Sequence, residues 1–211
     1  MDFESTLAET SSLRDQAGAA SLFRSQGAQG VKHLDSLFAA MMRIDTGRND
    51  LNKFEIVIVG LGSMAIASTL DAAGIDPLSP GYAKMTRWIL SHALSQNTEV
   101  SAYCINALGE FRNHSDVAVS VLSEITKSKQ RADENERITL RGIAFRMLAR
   151  LAPTLAEPYI NTDACKEYLA AIELWSAESP NSEESLEMEV EWIQAIQATN
   201  KRLPPNCDIV H

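Results

Sequence analysis

Apolar residues recur along this chain at the pitch of an α-helix, and the clearest run lies near its middle. Val100, Tyr103, Cys104, Ala107, Leu108 and Phe111 fall at i, i+3, i+4, i+7, i+8 and i+11, one stripe of one helix. Asn113 to Asp116 is a short polar break rich in capping residues, after which Ala118, Val121, Leu122 and Ile125 open a second stripe. A connection this short predicts two helices packed antiparallel, a hairpin over 97–127.

Further stripes lie on either side. Thr10, Ser11 and Ser12 are candidate caps for a helix from Leu13 to about Phe23. Val31, Leu34, Leu37, Phe38, Met41 and Met42 form the next stripe, closed by the turn-rich stretch 45–50. Ser79-Pro80 reads as a helix start, a capping serine with proline at the first helical position, and Tyr82, Met85, Trp88, Ile89 and His92 follow. Asp133 with Glu136 resembles a capping box ahead of Leu140, Ile143, Ala144, Met147, Leu148 and Leu151, a stripe that Pro153 stops. Cys165, Tyr168, Leu169, Ile172 and Trp175 mark a helix capped by Asn161 or Thr162 after a long loop, 152–161. Leu186, Val190, Ile193 and Ile196 mark the last helix.

Residues 54–73 are ambiguous. Phe54 to Val59 is β-branched and has the composition of a buried strand. It runs into Gly60-Leu61-Gly62-Ser63-Met64-Ala65, which fits the G-x-G-x-x-A form of the dinucleotide fingerprint. There Gly60 would make the tight turn, Gly62 would admit a pyrophosphate to the backbone, and Ala65 would pack the following helix. The context fails. No other strongly β-patterned run exists except a short one at Cys207 to Val210. The stretch about twenty residues on, where a ribose-binding acid belongs, is Pro80 to Arg87 and contains no carboxylate. The sequence therefore predicts a buried helix here, with glycines that let a neighbour approach closely. The apolar run 56–70 is too short and too glycine-marked for a membrane span.

From residue 54 onward the stripes fall into pairs, 54–73 with 80–94, 98–111 with 116–127 and 134–151 with 162–175, at a period of about 40 residues. Glu99-Val100, Ala107-Leu108-Gly109 and Val117 to Leu122 resemble the HEAT-repeat pattern; Arg141 to Ala149 resembles the first helix of such a unit, and Ile66 to Leu70 does so more loosely. The usual proline of the first helix is absent and the spacing drifts. The resemblance implies an α-solenoid with a scaffold or recognition role and without a common active site. The expected fold is all-α, antiparallel helical hairpins stacked as a short HEAT-like solenoid or an irregular bundle. In it, 1–50 is a helical cap with a loose start, 51–202 the repeat region of the same domain, and 203–211 an extended tail.

The chain has 211 residues and a formal charge of −9, which disfavours nucleic acid and anionic membranes and would steer in a basic partner. Cys104, Cys165 and Cys207 form no C-x-x-C pair, and an odd, sparse set suits a reducing compartment. With no basic, apolar leader, the expected location is the cytoplasm. His33, His92, His114 and His211 stand in no metal-ligand spacing and read as surface or boundary residues, so neither metal nor catalytic residues are expected. Arg137 with Arg141, and Arg146 with Arg150, form two basic pairs on nearly opposite sides of a helix, suited to bidentate pairing with carboxylates. Glu183, Glu184, Glu187 and Glu191 share a face of the last helix, either a solvated cap or a docking strip. The leading functional expectation is a noncatalytic protein-interaction or scaffold module, in narrower form an acidic inhibitor or immunity-type protein shielding a basic enzyme. The alternative is a nucleotide-binding enzyme using Gly60, Gly62 and Ala65. A third class is a bundle subunit of a larger assembly.

Overall fold

A computed structural model of the chain describes residues 2–48, 50–128 and 139–178, together with 190, 191, 193–195 and 197. Among these residues all regular structure is helical and no strand occurs.

The structure is built round α4, Lys53–Ala72. Its β-branched start is helical because side chains fix both ends. Asn52 accepts the Phe54 and Glu55 amides, and Glu55 accepts the Asn52 amide at 2.8 Å, closing a capping box. Arg48 holds the same Glu55 at 2.5 Å. At the far end Gly74 takes a φ of 63°. The Gly74 and Ile75 amides then donate to the Asp71 and Leu70 carbonyls, a Schellman stop that glycine adopts without steric cost. Between these ends apolar residues point nearly all round, and Ile58, Val59, Ile66 and Leu70 are fully buried. A helix of this kind needs neighbours on most sides. α2 (Leu13–Phe23), the 3-10 run Arg24–His33, α3 (Leu34–Met42) and α6 (Thr98–Leu108) supply them. By length and composition α4 could cross a membrane, being longer than the run 56–70 suggests, yet 56% of its apolar window is buried inside the fold.

The N-terminal segment belongs to this same core. Ser12 caps α2 by accepting the Asp15 amide. α1 (Phe3–Thr6) buries Phe3, whose ring meets Phe23 edge-on at 5.2 Å. Arg43 donates to the Leu7 carbonyl at 2.6 Å and to Gln16, tying the end of α3 to the start of the chain.

Beyond α4 the helices alternate in role. α5 is Ala83–His92, α7 Asp116–Lys127, α8 Leu140–Leu151 and α10 Asp163–Glu178. Gly60 faces Tyr103, Ser63 lies 3.8 Å from Cys104, and Asp71 binds Asn113 just past α6. Partners therefore climb together, so α4 and α6 run in the same direction. Ser101 and Leu140 line one cavity while Gly109 meets Met147, which sets α8 in that direction too. α5 and α7 carry the chain back between them. The expected antiparallel hairpin of α6 with α7 is only lightly packed. α6 packs chiefly on α4 and α8, and α7 on α8. The cause lies in α6 itself, whose Tyr103 and Cys104 serve α4 on one flank while Gly109 at its end serves α8.

Several boundaries also differ from expectation. α5 starts at Ala83, because the Ser79 hydroxyl is committed to the Asp76 carbonyl and 79–82 is a turn closed by Tyr82 donating to Ser79. Val31 lies in the 3-10 run and α3 begins at Leu34, with Met42 exposed. Pro153 does end α8, but it opens a further short helix, α9 (Pro153–Ala156), and a 3-10 turn, Glu157–Tyr159, so the stretch read as a loop is mostly helical. Thr139, accepting the Gly142 amide, caps α8; the capping box read at Asp133 and Glu136 lies outside the described residues.

Candidate functional site

The residues of the glycine-rich segment sit inside α4, far from either of its ends. A Cβ on Gly60 would strike the Tyr103 ring, and one on Gly62 would come within 2.8 Å of the Met41 sulfur. Ala65 is fully buried. A phosphate cradle needs free backbone amides at the turn between a strand and a helix N-terminus. Here a continuous helix occupies 53–72 and the glycines contact side chains of α6 and α3.

Reactive side chains are enclosed by packing. Burial pushes the Cys104 thiol up to about 12, against a smaller downward pull from the Ser63 hydroxyl. Burial alone pushes Cys165 up to about 11. A thiol held protonated is a poor nucleophile and a poor metal ligand. His33 lies against the Phe3 and Phe23 rings, with Nδ1 3.4 Å from Glu4. His92 stacks on Trp88 at 3.8 Å. Its Nδ1 faces the Trp88 carbonyl at 2.8 Å and so carries the proton, leaving Nε2 to accept from Thr46 at 2.9 Å. No group of three His, Cys, Asp or Glu side chains able to hold a metal occurs among the described residues.

The charged candidates divide. Arg141 makes the bidentate carboxylate pair that its sequence position suggests: Nε donates to Glu167 at 3.0 Å, a second nitrogen binds the other oxygen, and a third donates to the Ser128 carbonyl at 3.1 Å. Thr139 adds its hydroxyl to Glu167 at 2.5 Å. The Glu167 hydrogen bond holds the Arg141 proton more tightly than usual. Arg146 lies 5.8 Å from the centre of the Tyr168 ring. Glu191 is exposed on a helical stretch, while Glu183, Glu184, Glu187 and Arg137 lie outside the described residues.

Two surface features remain. On α4, Phe54, Val57, Leu61 and Met64 fall at spacings of three, four and three and stay partly exposed, while Phe54, Val57 and Met64 also pack against the core. Tyr103, also partly exposed, lies beside them over Gly60. The second feature is a cavity of about 150 Å³ where the ends of α5 and α7 meet α6 and the start of α8. Leu94, Ile125 and Leu140 give it apolar walls, and Ser95, Glu124 and Ser128 line the rest. Glu124 is exposed and pairs with no cation among the described residues. Sequence reading missed it, because an isolated glutamate on the polar face of a stripe carries no signal until three helix ends converge. No family model, curated protein or solved structure matches the chain.

Proposed function

We propose that the chain is a noncatalytic protein-interaction module, a short α-solenoid of HEAT type whose co-directed helices α4, α6 and α8 form the partner-facing layer. The observation that carries this reading is the row Phe54, Val57, Leu61 and Met64 beside Tyr103, large apolar side chains left partly in water on the longest described helix of the fold. Charge sets the partner's chemistry. A chain of net charge −9 attracts a basic surface and repels an acidic one. An inhibitor or immunity-type protein that covers a basic enzyme fits this description. The buried, unpaired Cys104 and Cys165 suit a reducing compartment such as the cytoplasm.

The test is capture of partners from the native source by the full chain at low salt, with Leu61→Glu and Met64→Glu baits alongside. The expected result is a basic protein retained by the parent, released by raised salt and lost from both variants while their circular dichroism stays helical. An empty parent bait, or equal retention by the variants, would contradict the reading.

A further inference from the structure

We infer that the cavity between the ends of α5 and α7 is a socket for a lysine side chain offered by a basic partner protein; this rests on the module reading above and gives it a point of attachment. A lysine is a flexible four-carbon stem carrying a compact ammonium with three donors. It binds best where the stem lies along apolar surface and the head stays in reach of water and a carboxylate.

The cavity matches those needs in order. Its volume, about 150 Å³, is comparable to cavities that accommodate a single small ring. Leu94, Ile125 and Leu140, from three different helices or their ends, supply the apolar sleeve. Glu124 stands in the same lining as an exposed residue. The Ser95 oxygen already accepts the Asn97 amide at 3.2 Å and has a second lone pair for an ammonium. Arg141, the nearest strong cation in sequence to Leu140, is not available to neutralise Glu124, because Glu167 and the Ser128 carbonyl hold its guanidinium. The cavity thus presents a carboxylate that pairs with no cation among the described residues, in the same lining as three apolar side chains.

An arginine would fit less well. Its planar fork gains most from a bidentate carboxylate at fixed geometry, and Glu124 sits on an exposed helix face where the side chain keeps its rotamer freedom.

The experiment is an amide-resolved NMR titration of the full chain with a hexalysine peptide, run beside its Nε-acetylated form and a hexa-arginine peptide. The expected result is saturable shifts centred on Leu94, Ser95, Glu124 to Ser128 and Leu140. Binding should weaken about fivefold in Glu124→Gln, the scale of one exposed charged contact, and stay unchanged in Asp116→Asn, an exposed carboxylate elsewhere on α7. The acetylated peptide should be silent and hexa-arginine weaker at these amides. Shifts scattered over the acidic surface, no binding, equal losses in the two variants, or hexa-arginine binding tighter at these amides would overturn the socket. Failure here with partner capture intact removes the socket alone. Failure of capture with the titration intact removes the module reading.

Discussion

The seam between α4 and α6 and the seam between α8 and α10 are made of different material. In the first, backbone meets ring: Gly60 has no side chain, and Tyr103 fills the space that one would take. Ser63 and Cys104 continue the contact with small, buried groups. In the second, side chains bridge the gap: Arg141 and Thr139 both bind Glu167, with Arg141 14% and Glu167 25% exposed. Close packing of small groups is shape-bound, and it fails when volume is added. A hydrogen-bonded ion pair is chemistry-bound, and it fails when one partner is removed while the other stays half-buried. The first seam places the long apolar helix that anchors the fold. The second attaches a later helix by contacts that can be lost singly.

Adding volume at the first seam should have the largest effect. Gly60→Val is expected to destabilise by ~3 kcal/mol, the upper range for overpacking, because the Tyr103 ring is struck near its root and cannot swing aside. Gly62→Ala should cost far less, since it meets the flexible end of Met41 and gains helix propensity of up to ~1 kcal/mol. Urea unfolding of the two variants checks the order; equal losses would show that the Tyr103 ring yields as readily as the Met41 side chain.

Removing a partner at the second seam should come next. Arg141→Ala is expected to cost ~1–3 kcal/mol, the range for stranding a partly buried hydrogen-bonded group. Arg141→Lys should recover only part of it, because an ammonium cannot span both Glu167 oxygens. A double-mutant cycle with Glu167→Gln reads the coupling directly, and zero coupling would sever the proposed bridge.

The last effect is absent at neutral pH and appears only in alkaline solution. Cys104 keeps its proton in the fold up to about 12, against an ordinary thiol value of 9.0. Above that ordinary value the unfolded chain has released a proton that the folded chain retains. Stability contributed by the neutral thiol is therefore full below pH 9.0 and falls as pH rises toward 12. Denaturation of the parent and Cys104→Ala between these limits should show a shallower decline in the variant; parallel declines would mean that the thiol titrates normally.

Much of the local structure was legible in the chain, because caps and stripes are local signals. Ser12, one of three candidates in the sequence, caps α2, and Ile143, Ala144, Met147 and Leu148 form the buried face of α8. α4 was harder. A helix enclosed by neighbours is apolar all round, so it loses the periodicity that marks a helix, and its β-branched start imitates a strand. The start of α5 was misplaced because Ser79 spends its hydroxyl on the preceding turn. The pairing of α6 with α4 and α8 could not be read from stripes, which state that a face is buried and not what buries it. The cavity was invisible for the same reason: Leu94, Glu124 and Leu140 lie far apart in sequence and acquire meaning only together.

The central claim is that the glycines of α4 are contact points for a neighbouring helix. A stability cycle pairing Gly60→Ala with Tyr103→Ala tests it most directly. The expected result is a loss of ~1–3 kcal/mol for Gly60→Ala in the parent, and none, or a gain of up to ~1 kcal/mol, once the ring is gone. A Gly60→Ala substitution that is harmless in the parent, or equally damaging in both backgrounds, would contradict it.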